Sequence, residues 1–169
     1  MMRSAPAFIA LLLALPVAQA CDLDAITRRL EEPLGELRVV EREVRDVQST
    51  EGGVWQIYRE KDGRVHTILR IDAGESGRNE LRFSAASRRD YGIVETRFDY
   101  NRHAFVDIDS PFAVVRKTAV YYFFCGGKLY LPRAGIAHLP EGYEAGGRAA
   151  KAQILEAGEI ADFTPGFAR

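Results

Sequence analysis

The strongest constraint on this fold is a two-residue rhythm that runs through positions 54–131 and is interrupted by short turns. Successive side chains of a β-strand point to opposite faces, so each run predicts a strand with one apolar and one polar side. In residues 54–59, Trp55 and Ile57 oppose Gln56 and Tyr58. In residues 65–71, Val65, Thr67, Leu69 and Ile71 oppose His66 and Arg70. Leu81, Phe83 and Ala85 then oppose Glu80, Arg82 and Ser84, and Val94, Thr96, Phe98 and Tyr100 oppose Glu95, Arg97 and Asp99. Between the runs lie Lys61-Asp62-Gly63-Arg64, Ala73-Gly74-Glu75-Ser76-Gly77 and Arg88-Arg89-Asp90. Asp-Gly accepts the positive φ of a tight hairpin. Connections this short exclude parallel crossovers, and the in–out alternation predicts an antiparallel sheet with one wet face.

The last strong run, residues 118–124, is apolar on both faces, which places it centrally or under cover on both sides. Gly126-Gly127 turns the chain into a short closing strand over residues 128–131. Residues 22–32 suit a helix capped by Asp22 or Asp24, with Leu23, Ile26, Thr27 and Leu30 on one face and Pro33 and Gly35 ending it. The stretch after Leu37 fits either a strand or a continuing helix. Residues 148–157 suit a second helix stopped by Gly158, and Gly146-Gly147, like the other Gly-Gly pairs, reads as a turn. The fold class is therefore α+β, mainly β: an antiparallel meander with a short N-terminal helix and a C-terminal one. Cross-strand ion pairs between Arg82 and Glu80 of one run and Arg97 and Glu95 of the next would help set its register.

Arg3, an apolar run over residues 5–17 and Ala18-Gln19-Ala20 before Cys21 have the build of an export signal. Cleavage after Ala20 predicts a signal at 1–20, one exported domain at 21–158 and a flexible tail at 159–169. Without Arg3 the balance is 22 basic to 24 acidic residues, which supplies no basic footprint for nucleic acid. No later segment reaches the ~20 apolar residues of a membrane helix. The expected location is periplasmic or secreted. The two cysteines, Cys21 and Cys125, allow one intrachain disulfide. The alternative is lipidation of Cys21, since residues 17–21 loosely match a lipobox, with Ala18 and Gln19 departing from it. Lipidation would strand Cys125 as a free thiol in an oxidising compartment, so the disulfide is preferred.

Glu51-Gly52-Gly53, Gly74-Glu75-Ser76-Gly77, Phe98-Asp99-Tyr100-Asn101-Arg102, and Tyr121-Tyr122-Phe123 followed by Gly127-Lys128-Leu129 occur in that order. Over roughly residues 50–131 the chain thereby resembles a broad group of uncharacterised exported bacterial proteins that carry these motifs in the same order. The resemblance implies an exported antiparallel sheet and transfers no activity. The group usually has Asp-Asn or a similar pair before Gly-Lys-Leu, where this chain has Phe124-Cys125-Gly126.

The chemistry-bearing residues point away from an assembled catalyst. His66, His103 and His138 show no metal spacing and read as scattered surface histidines. Asp107 and Asp109 lack the turn of a calcium loop. No phosphate loop or dinucleotide motif is present, so no cofactor is expected. No Gly-x-Ser-x-Gly occurs, and Ser76 reads as a turn residue. Glu75, Glu80, Glu95 and Asp99 keep a carboxylate hydrolase open as an alternative. The leading expectation is a non-enzymatic binding module that contacts an envelope protein or polymer through the sheet edge or a loop opening with Asp99, Tyr100, Asn101 and Arg102. A loop on a rigid scaffold suits that role, although a turn at Asn101, an acid-paired Arg102 and a Tyr100 packed at the edge would explain the same residues. A lipid-anchored scaffold is the third expectation.

Overall fold

The computed structural model describes residues 21–44, 51–87, 89–103, 113–132 and 139–158. The expected signal at 1–20, the expected tail at 159–169, and Asp107, Asp109 and His138 lie outside the described residues. Helix α1 (Leu23–Glu31) is followed by strands β1 (Arg38–Glu43), β2 (Gly53–Arg59), β3 (Val65–Gly74), β4 (Gly77–Ala85), β5 (Tyr91–Tyr100), β6 (Val114–Cys125) and β7 (Lys128–Leu129), then helix α2 (Tyr143–Glu156). All strands form one antiparallel sheet whose spatial order is the chain order. This is the meander that the alternation predicts, and the segment after Leu37 is a strand.

Each expected turn works for a local reason. Gly63 takes φ +87°, and the Asp62 carboxylate accepts the Arg64 N–H at 3.0 Å. Gly126 and Gly127 both have positive φ, which suits a two-residue hairpin loop. At the start of α1 the Asp22 carboxylate accepts the Ala25 N–H at 2.8 Å, as an N-cap should.

The one-wet-face expectation does not describe the middle of the sheet. Ile26 and Leu30 of α1 pack with Val94, Tyr121 and Phe123 on one face. On the other face Trp55, Ile57, Ile68, Leu81, Phe83, Tyr91, Ile93, Tyr122 and Phe124 form the larger core with Tyr143, Ala150 and Ile154 of α2. The domain is thus a helix–sheet–helix sandwich, and both faces of β4 and β5 are covered.

Two further expectations are corrected by close packing. Gly146-Gly147 is not a turn but part of α2. A Cβ at Gly146 would sit 2.5 Å from the Tyr122 hydroxyl, and one at Gly147 3.0 Å from Leu129. The paired glycines let the helix backbone lie directly on the sheet. The single-face reading of residues 65–71 also fails. Tyr58 pairs with Thr67 and Arg59 with Val65, so His66 is the extra residue of a β-bulge. Val65 and Ile68 therefore share the larger core, whereas His66 and Thr67 both lie on the α1 face.

β6 is not central. It lies between β5 and the two-residue β7, and only Phe124 and Cys125 have strand partners on the outer side. Its C-terminal half is covered, but residues 114–119 are exposed. Cys21 and Cys125 form a disulfide with Cα atoms 5.5 Å apart. The bridge joins the residue before the α1 cap to the end of β6.

Candidate functional site

Three of the four sequence motifs meet at one end of the sheet. Glu51-Gly52-Gly53 enters β2 beside the end of β3: the Ala73 N–H donates to the Gly52 carbonyl at 3.1 Å. A Cβ on Gly53 would fall 2.6 Å from an Asp72 carboxylate oxygen. Gly74-Glu75-Ser76-Gly77 is the β3–β4 hairpin. At Gly77 a Cβ would collide with the Phe98 carbonyl, so this glycine permits close strand approach. The Tyr100 N–H donates to the Ser76 carbonyl at 2.9 Å, and the His103 ring lies 2.5 Å from the Glu75 carboxylate. The fourth motif sits at the opposite end of β6, beside the disulfide, because β6 runs antiparallel to β5.

The β3–β4 hairpin and the end of β5 border a polar groove of about 560 Å³ on the α2 face. Arg70 forms its floor. It is 6 % exposed, stacks over the Trp55 ring at 5.3 Å, donates to Asp72 at 2.8 Å and reaches Glu156 of α2 at 3.5 Å. Arg97 and Asp99 form the wall, with Asn79 and Gln153 beside them. Asp99 accepts from Arg97 Nε at 2.9 Å and from Arg116 Nε at 2.5 Å. Those two hydrogen bonds hold its carboxyl below the usual aspartate range. The groove therefore presents fixed, alternating cations and anions.

The four residues singled out in the sequence divide within this site. Asp99 lines the groove. Tyr100 is tied to the hairpin through its backbone. Asn101 closes the loop: its N–H donates to the Ala113 carbonyl at 3.0 Å and its side-chain oxygen accepts the Ala113 N–H at 3.0 Å. Arg102 donates to the His103 carbonyl at 3.3 Å. Arg70, Asp72 and Glu156 were not singled out, because α2 and β3 approach each other only in the folded chain.

The expected cross-strand pairs do not form. Register sets Arg82 opposite Val94 and Arg97 opposite Asn79. Arg82 instead donates to the Glu32 carbonyl at 2.6 Å, Glu80 pairs with Arg78 at 2.8 Å, and Glu95 accepts from Tyr122 at 3.3 Å. Burial, then the Glu95 charge, pushes the Tyr122 hydroxyl up to about 12.

His66 is not a surface histidine. It is buried and belongs to a chain of polar groups under α1. Its Nε2 lies 3.3 Å from Glu32, its Nδ1 2.9 Å from Thr67 Oγ1, and Thr67 Oγ1 3.1 Å from Ser84 Oγ. The acid–histidine–hydroxyl order resembles a nucleophilic relay. Thr67 and Ser84 are 0 % exposed, however, and Ser84 is committed to the His66 carbonyl at 3.0 Å. No substrate carbon can reach either oxygen, so the chain pins the end of α1 to the sheet. Burial, then the Arg29 charge, lowers the His66 pKa.

Among the described residues no three His, Cys, Asp or Glu side chains gather as a metal site, and no helix is long and apolar enough to cross a membrane. Comparisons with protein-family models, curated proteins and solved structures found no match.

Proposed function

We propose that this protein is an exported, non-enzymatic binding module that holds an envelope protein or polymer at the polar end of its sheet. The observation that carries the reading is that two motifs distant in sequence, through Gly74, Ser76 and Gly77 and through Phe98 and Asp99, line one groove, with Gly52-Gly53 of a third beside it against Asp72 and Ala73. Its lining suits recognition. The guanidinium and carboxylate groups are held in place by one another, so little side-chain freedom is lost when a polar partner is bound.

The same pairing counts against acid–base catalysis. A general acid needs a raised pKa, whereas Asp99 is driven the other way by Arg97 and Arg116, and Asp72 and Glu156 are engaged by Arg70. The Cys21–Cys125 bridge suits an oxidising compartment outside the cytoplasm. It also occupies the sulfur that a lipid would need, which favours a chain without a lipid anchor.

The test is capture from envelope extracts with wild type, an Asn79→Ala/Arg97→Ala double variant and a Tyr100→Ala/Arg102→Ala double variant, each checked for unchanged melting. The groove variant should lose partners that wild type retains. Identical partner lists for all three proteins would refute the proposal.

A further inference from the structure

The outer edge of β6 is left open by the short β7. In the described structure no strand pairs with its outer side over residues 114–121. The Phe123 carbonyl accepts the Tyr130 N–H, which fixes the direction of its backbone groups. Counting back by two along an antiparallel strand, Tyr121, Ala119 and Lys117 also direct their N–H and C=O groups outward. The Tyr121 carbonyl already accepts the Tyr143 hydroxyl at 2.9 Å, which leaves the Tyr121 N–H and both backbone groups of Ala119 and Lys117 without a ladder partner among the described residues, a template for an added strand.

The side chains define what fits there. Val115 is 63 % exposed and Val114 47 % exposed, and Val115 is the extra residue where β6 bulges against Asp99 and Tyr100. Between these valines and Val120 stand Arg116 and Lys117, on opposite faces of the sheet. Residues 114–121 contain no acid. Asp99, opposite Arg116 on β5, is shared by Arg97 and Arg116. Lys117 and Arg78 flank the Phe98 ring, with their charged groups 5.5 and 4.3 Å from its centre. Arg78 is balanced by Glu80, but Lys117 and the two guanidiniums that share Asp99 leave this corner net cationic among the described residues, on a chain whose formal net charge is −1. A second copy would bring two Arg116-Lys117 pairs together, and a basic edge is a known guard against such self-pairing.

We propose that β6 accepts an extended acidic segment of a partner protein by strand addition, with adjacent carboxylates meeting Arg116 on one face and Lys117 on the other. β-branched neighbours of those acids cover Val115 and Val120. The proposal rests on the reading that the protein acts by binding, but it uses a surface separate from the groove floor.

The probe is a seven-residue capped peptide with two adjacent acids between valines and threonines, labelled for fluorescence anisotropy. Controls are the same peptide with lysines in place of the acids and one N-methylated at alternate amides. The intact disulfide-bonded domain should bind the acidic peptide saturably, bind both controls at least tenfold more weakly, and gain amide-exchange protection at Lys117, Ala119 and Tyr121. Arg116→Glu/Lys117→Glu should reverse the preference toward the lysine peptide. Ala119→Pro removes only an outward N–H, the place where an edge strand tolerates proline, and should abolish binding with its melting retained.

Equal binding of the N-methylated peptide would reduce the effect to charge alone and overturn strand addition. Self-association that disappears in Ala119→Pro would assign the edge to a second copy and likewise overturn it. Asn79→Ala, which leaves the Arg97–Asp99–Arg116 cluster intact, should leave peptide binding unchanged. Retained envelope capture without peptide binding would therefore sink the edge proposal and spare the groove.

Discussion

Removing the Cys21–Cys125 bridge should cost more stability than any single side-chain deletion in this domain. The bridge spans 104 positions, and the chain-entropy relation for a loop of that length gives about 4.7 kcal/mol at 25 °C. For a domain of this size each kcal/mol shifts the melting point by about 2–4 °C, so a Cys21→Ser/Cys125→Ser protein should melt about 10–20 °C below oxidised wild type. The double variant is the right perturbation, because either single variant leaves a thiol that can cross-link. Where the loss falls is also determined by structure. Cys21 precedes the Asp22 cap, so α1 loses its anchor to β6 but keeps Ile26 and Leu30 on the sheet and Glu32 against His66. Amide exchange should therefore quicken first in residues 23–31, with β3, β4 and β5 protected until global unfolding. Native wild type should titrate no free thiol and weigh two hydrogens less than its reduced form. A double variant that melts within about 2 °C of oxidised wild type would refute the reasoning, because stapling of the unfolded chain would then contribute nothing.

Gly92→Val should dislodge α1, since even a Cβ at Gly92 would meet Leu30 at 2.6 Å and Ile26 at 2.7 Å. Overpacking of this kind costs about 1–3 kcal/mol, measurable as a lower urea midpoint, whereas Gly35→Ala, with nothing within 4 Å, should change it little. Acid should loosen the same contact in two steps. His66 has a depressed folded pKa, so the unfolded chain takes up its proton first. Its contribution is complete above the ordinary histidine value of about 6.5 and is lost as the pH falls through the depressed folded value. Glu32, lowered chiefly by its hydrogen bond from Arg29, adds a further loss as the pH falls below the ordinary glutamate range. Melting curves of His66→Gln across pH 4–8 should lack the first step; an unchanged profile would remove His66 from the argument.

Period-two alternation, Asp-Gly and Gly-Gly turns and a capped amphipathic segment are local signals, and each produced its element: the meander, the hairpins and α1. The cysteine pair was readable because two thiols allow one intrachain bridge. Asp99 and Asn101 were found because they stand where a strand gives way to a long connection. Their use was hidden, since Asp99 is engaged by Arg116 of another strand and Asn101 spends its side chain on Ala113.

What the sequence alone determined is the order of strands and the position of their turns, because a one-residue slip would send every buried side chain to water. Only the tertiary structure decided which face each helix covers, that one bulge puts His66 and Thr67 on the same side, and that Gly146-Gly147 lies flat on Tyr122. The groove belongs to this second group as well. Its residues come from β3, β4, β5 and α2, and no periodicity within any one segment records how closely another segment will approach.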